Sequence, residues 1–169
     1  MNRKLSAVLF PGILFLLLLG CQTQRTAPVE GYIDVAGGRV WYRIYGNGNK
    51  SPVLALHGGP GASSYGQEPL KALSQDRKVV LFDQLGCGRS TRITDTTLMT
   101  VDHYVEEVEQ VRKALHLEDL YLYGHSWGGA LATDYYLRYP NEVKALLLLS
   151  PLLSTDLWIN DADTLISTL

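Results

Sequence analysis

The chain has 169 residues, 46% hydrophobic and 19% charged, which suffices for one globular core and not for two full domains. Fifteen basic residues against seventeen acidic ones give a formal charge of −2 with no block of one sign, so nothing points to a nucleic-acid partner. Two cysteines are too few for a disulfide framework, and no cluster of His, Cys and carboxylate residues has ligand spacing, so neither a metal nor an organic cofactor is implied.

Residues 1–20 read as a targeting segment. Arg3 and Lys4 precede an apolar stretch from Leu5 to Leu19, which Pro11-Gly12 interrupts. That stretch falls short of the ~20 apolar residues needed to cross a bilayer. Leu18-Leu19-Gly20-Cys21 resembles a bacterial lipobox, which implies cleavage before Cys21 and lipidation of its thiol. The expectation is an exported lipoprotein of the bacterial cell envelope, held on a membrane by its lipid anchor without spanning it. Removing Arg3 and Lys4 leaves thirteen basic residues against seventeen acidic ones, a mildly acidic exported part. Residues 21–30 are polar, contain one proline and lack periodicity, which suits a tether.

The folded part is expected over residues 31–153. Tyr32–Val35 and Val40–Tyr45 are short β-rich runs around Ala36-Gly37-Gly38-Arg39, a composition that predicts an antiparallel hairpin. Val53–Leu56, Lys78–Phe82, Leu120–Tyr123 and Val143–Leu149 are near-continuous apolar runs, the pattern of parallel strands covered on both faces. Between them, Val101–Leu115 carries Val101, Tyr104, Val105, Val108, Val111 and Leu115 on one helical stripe, with Thr100 as cap. A second helix is predicted from Ser126 to Tyr139-Pro140. Alternating strands and helices with right-handed crossovers predict an α/β sandwich with a mostly parallel sheet and an N-terminal hairpin. Residues 154–169 trace a further amphipathic helix that stops without a capping or breaking residue, so the chain reads as cut within that element.

Gly124-His125-Ser126-Trp127-Gly128 follows an apolar strand and opens a helix, the context of a nucleophile elbow. Ser126 is the candidate nucleophile, raised above the sheet by a strained turn that the flanking glycines accommodate. The Trp127 N–H, at the start of the new helix, is the expected first oxyanion donor. His57-Gly58-Gly59-Pro60-Gly61 ends another strand, and glycines there let the backbone approach a substrate oxygen. Gly59 is the expected second donor, with Gly58 the alternative and a substrate-binding position. With the triad order serine, acid, histidine, His57, His103 and His116, which precede the serine, are not the base; His57 is read as structural, and His125, beside the serine in sequence, is expected to point away from it. Asp83–Ser90 forms a tight loop at the C-terminal edge of the sheet, where Asp83 and Arg89 brace the backbone and Cys87 is a packing residue.

Taken together, H-G-G-P-G at 57–61, D-Q-L-G-C-G-R-S at 83–90 and G-H-S-W-G-G at 124–129 resemble the proline iminopeptidase family of α/β-hydrolases. Leu85 and His125 stand where many members have arginine and glycine. The resemblance covers about Tyr32–Ser154 and implies a serine hydrolase that releases N-terminal residues, often proline, from small peptide substrates. It also implies a triad acid and histidine, and cap carboxylates for the substrate amine, that lie beyond this chain; residues 154–169 resemble the start of the helical cap. On that expectation Ser126 is here an unactivated alcohol beside an oxyanion hole, and the 169-residue chain alone turns over little. The missing strands are expected to leave an apolar edge exposed. Fold and elbow do not choose the leaving group, so an esterase or lactonase is the alternative enzyme, and a non-catalytic surface lipoprotein fragment the alternative from another class.

Overall fold

A tight turn at Ala36-Gly37 folds the first two β-rich runs onto each other. In the computed structural model, which describes residues 27–168, β1 (Val29–Val35) and β2 (Gly38–Tyr45) pair antiparallel from Val29↔Ile44 to Val35↔Gly38. Gly37 takes the turn's left-handed conformation at φ 90°. The segment read as a leader, with Cys21, lies outside the described residues.

The remaining elements alternate. They are β3 (Lys50–Leu56), β4 (Arg77–Phe82), α1 (Val101–Ala114), β5 (Leu120–His125), α2 (Trp127–Arg138), β6 (Val143–Leu149) and α3 (Thr155–Ile166). The six strands form one sheet in the order β1-β2-β4-β3-β5-β6, antiparallel as far as β2-β4 and parallel from there on. The predicted hairpin, parallel strands and helices are all present. Thr100 Oγ accepts the His103 N–H at 3.2 Å and so starts α1, and Pro140 follows the end of α2.

Period-two alternation divides the strands between two cores. Leu54 and Leu56 of β3, with Val80 and Phe82 of β4, face α1 and α2, where Val105, Val108, Leu131 and Tyr135 complete the larger core. Each such fully buried side chain contributes about 1.5–3 kcal/mol. Val53, Ala55, Val79 and Leu81 face the other way and are covered by Leu70, Tyr45 and the Tyr121 and Tyr123 rings. Leu70 belongs to a 3-10 stretch, Ser64–Leu73, that the sequence pattern did not announce: Gly66 and Pro69 break any regular helical period there.

Two further details differ from the sequence reading. Val101 lies on the exposed side of α1, while Glu107 and Glu109 are buried. The run Val143–Leu149 is not covered on both faces, since Leu147, Leu148 and Leu149 are 42%, 39% and 52% exposed. β6 is the last strand of the described sheet, and among the described residues nothing pairs with its outer edge. α3 is helical with Ser154 as its cap, but it buries none of its residues; Leu157 and Trp158 face outward.

Candidate active site

Ser126 sits between the end of β5 and the start of α2, at φ 55° and ψ −121°. A side-chain-bearing residue in that region holds about 1–3 kcal/mol of strain, which persists only where the surroundings over-determine it. Here they do. The Ser126 N–H donates to the Leu149 carbonyl at 3.1 Å, and the Ser126 carbonyl accepts the N–H groups of Gly129 at 2.9 Å and Leu152 at 3.1 Å. Glycines make room for the turn: a methyl on Gly128 would run into the Leu56 carbonyl, and one on Gly124 into the Gly128 backbone. The end of β3 and the start of α2 are therefore in direct backbone contact.

That contact brings the 57–61 loop to Ser126. A methyl on Gly58 would lie 3.2 Å from Ser126 Cβ and 3.1 Å from His125 Nδ1, whereas one on Gly59, at φ 127°, would meet the Gly61 and Ala62 backbone. Gly58, Gly59, His125 and Ser126 line one cleft of about 710 Å³. His125, expected to turn away from the nucleophile, thus lines the same cleft. The Trp127 N–H, in the first turn of α2, has no intrahelical acceptor, and the helix dipole adds about half a positive charge at that end.

The Trp127 indole points into the protein, where it meets a residue that sequence reasoning passed over. Trp127 Nε1 donates to Gln84 Oε1 at 3.0 Å, and Gln84 Nε2 donates to the His57 carbonyl at 3.0 Å. Gln84 is 1% exposed and joins the two segments that carry the candidate donors. Its own N–H donates to His57 Nε2 at 3.0 Å, so that nitrogen carries no proton. The neutral ring then carries its proton on Nδ1 and donates it to the Gly58 carbonyl at 2.9 Å. Gly58 C=O and Gly59 N–H share one rigid peptide plane, so holding the carbonyl aims the N–H. Burial holds the His57 pKa below its ordinary 6.5, which keeps the accepting nitrogen free. With both ring nitrogens committed to the backbone, His57 is no base.

Asp83 is buried and accepts the Ser64 N–H and hydroxyl at 2.8 and 2.7 Å and the Arg89 N–H at 2.8 Å. It ties the 3-10 stretch to the 83–90 loop. Arg89 braces the loop through its backbone N–H; its guanidinium lies 4.4 Å from the Trp41 ring centre and 3.4 Å from Glu30 Oε2. Cys87 is buried, and burial raises its thiol pKa. His103 packs edge-on against Tyr104, and His116 is exposed just past the end of α1. Beneath the loop, Glu107 accepts the Leu85 N–H at 3.0 Å, and burial pushes its pKa up to about 8. Nothing in the helical stripe signalled that this carboxyl faces inward. Among the described residues no group of three or more His, Cys, Asp and Glu side chains is placed to hold a metal ion.

Residues 51–168 match the family model of the alpha/beta hydrolase fold. The chain belongs to the α/β-hydrolase family. Within it, the chain matches the N-terminal part of the proline iminopeptidases. It is 52% identical over 133 residues to the proline iminopeptidase of Heyndrickxia coagulans, covering 78% of this chain and 46% of that protein. The solved proline iminopeptidase of Mycobacterium smegmatis superposes with a TM-score of 0.77 at 29% identity, over 83% of this chain and 50% of that one. A proline iminopeptidase-related protein of Thermus thermophilus gives 0.70 at 32% identity, over 75% and 45%. The chain spans about half the length of the curated relatives it matches.

Proposed function

We propose that the whole protein is a serine hydrolase of the proline iminopeptidase type, releasing N-terminal residues, often proline, from small peptides. The observation that carries this reading is the serine at the strained turn, with Gly58 close enough that a single methyl would touch it. The relatives, proline iminopeptidases by name, add the substrate class. In this reading Ser126 attacks the first peptide carbonyl, the N–H groups of Trp127 and Gly59 hold the oxyanion, and an acyl-enzyme is then hydrolysed. Among the described residues no imidazole hydrogen-bonds the Ser126 hydroxyl, so the reading assigns the base to a histidine that follows Ser126 in the order serine, acid, histidine. The reading looks for that acid and histidine in the part of the relatives' length that residues 1–169 do not span, and on it those residues alone are expected to turn over little. The leader and the Leu18–Cys21 pattern support export with a lipid on Cys21.

The test compares a prolyl arylamide with short acyl esters, using the protein as its gene encodes it, alongside fluorophosphonate labelling read by peptide mass spectrometry. Arylamide turnover and a label on Ser126, both abolished in Ser126→Ala, are expected. Faster turnover of esters than of the arylamide makes the protein an esterase instead, and a label on another serine removes Ser126 from its role.

A further inference from the structure

A second cleft, of about 770 Å³, lies beside the first and shares Ser63, Tyr65, Gly66 and Gly88 with it. Two smaller clefts among the described residues share no lining residue with the Ser126 site. The groove thus runs on from the nucleophile along the 3-10 stretch to Trp41, Lys71 and Arg89. We propose that this far end is a carboxylate subsite, in which Arg89, stacked on Trp41, receives the C-terminal carboxylate of a short peptide whose first residue is cleaved at Ser126. The proposal rests on the peptidase reading above and deepens it.

The charges decide what the cleft takes. Arg43 is already committed: it is paired with Glu30 and Glu68 at 2.6 Å each and also donates to the Tyr45 hydroxyl. The same two carboxylates are therefore drawn toward Arg43. Arg89 shares only the outer oxygen of Glu30, at a long 3.4 Å, and among the described residues its other side-chain N–H groups have no acceptor. Its side chain is 55% exposed. The guanidinium is nevertheless placed, because its backbone N–H is locked on buried Asp83 and its plane rests 4.4 Å from the Trp41 ring centre. A planar fork held in position with unused donors is the group that pairs with a carboxylate through two hydrogen bonds. Lys71, on the same cleft, has no ion pair among the described residues. Three cations here face three carboxylates, but Asp83 is turned onto the Ser64 and Arg89 N–H groups and Glu30 and Glu68 onto Arg43, so the unspent donors at this end are those of Arg89 and Lys71. A peptide is then oriented by its carboxylate, which those donors attract. The amine-bearing first residue is left at Ser126, as release of an N-terminal residue requires.

The test measures kcat/KM, in the protein as its gene encodes it, for Pro-Ala, Pro-Ala-Ala and Pro-Ala-Ala-Ala, each as the free acid and the C-terminal amide. The acid is expected to lead the amide by about tenfold at the length that spans the groove, the worth of one charge-assisted hydrogen bond. The ratio is expected to shrink with added salt, to fall toward one in Arg89→Gln, and to take an intermediate value in Arg89→Lys, which keeps charge without the fork. A ratio near one at every length in the wild type, or a ratio unchanged in both variants, overturns the subsite. If the wild type fails to cleave a prolyl arylamide, the peptidase reading itself has failed. The subsite is then judged by calorimetry on Pro-Ala-Ala acid and amide: a preference for the acid that Arg89→Gln removes upholds it, and equal binding overturns it.

Discussion

Replacing Gln84 with leucine removes two hydrogen bonds while nearly conserving volume, so it isolates what the buried amide contributes. The His57 carbonyl loses its donor, and the Trp127 indole N–H loses its acceptor, each from a bond of 3.0 Å. His57 is 1% exposed, so its carbonyl has no water to turn to and costs about 1–3 kcal/mol unpaired. The half-buried indole N–H costs less, about 0.5–1.5 kcal/mol. The third bond, from the Gln84 backbone to His57 Nε2, survives the change. The expected loss is thus about 2–4 kcal/mol, read as a lower urea midpoint with an unchanged slope in far-UV circular dichroism. A cycle with Trp127→Phe is expected to show a coupling of about 1 kcal/mol, because that variant already lacks the indole partner. A Gln84→Leu loss below about 0.5 kcal/mol, or zero coupling, refutes the bridge.

Glu107 sets a pH dependence of definite sign. The folded state keeps its proton up to about pH 8, whereas the unfolded chain releases it near 4.5, so stability falls as pH rises between those values. Glu107→Gln is expected to flatten that fall, by on the order of 1 kcal/mol per pH unit, in urea titrations from pH 7 to 8. That window avoids the opposite loss that neutral His57 brings below its ordinary 6.5. An unchanged slope places the carboxyl in a wetter site than its burial indicates. At the elbow, Ser126→Gly is expected to be about 1 kcal/mol more stable than Ser126→Ala, since glycine relieves the strain at φ 55° and alanine does not. Equal thermal midpoints for the two variants are the result that denies stored strain there.

Much of the architecture could be read in advance because apolar periodicity and glycine placement are local signals. The hairpin at Ala36-Gly37, the stripe from Tyr104 to Val111 and the stop at Pro140 each announce themselves within a few residues. Ser126 was equally plain, since strand, tight turn and helix succeed one another in the chain. What stayed hidden depends on partners distant in sequence. Gln84 matters through Trp127 and His57, 43 and 27 positions away. Glu107 occupies a position that helical period alone assigns no inward role, and it turns inward because the Leu85 N–H needs an acceptor 22 positions off. The exposure of Leu147–Leu149 was concealed for another reason: an apolar run reads alike at the centre of a sheet and at its border. For Arg89 the sequence suggested bracing, but could not divide that work between the backbone, which holds the loop on Asp83, and the guanidinium, which lies over Trp41 with a long contact to Glu30.

The two main-chain ties at Ser126, one to Leu149 and one from Leu152, make the alignment of β6 and the posture of the Ser126 hydroxyl a single variable. A slip of β6 by one residue along β5 would break both ties and let the turn relax out of its left-handed kink. Whatever steadies β6 also steadies the hydroxyl, so the turn inherits its mechanical stiffness from the strand beside it.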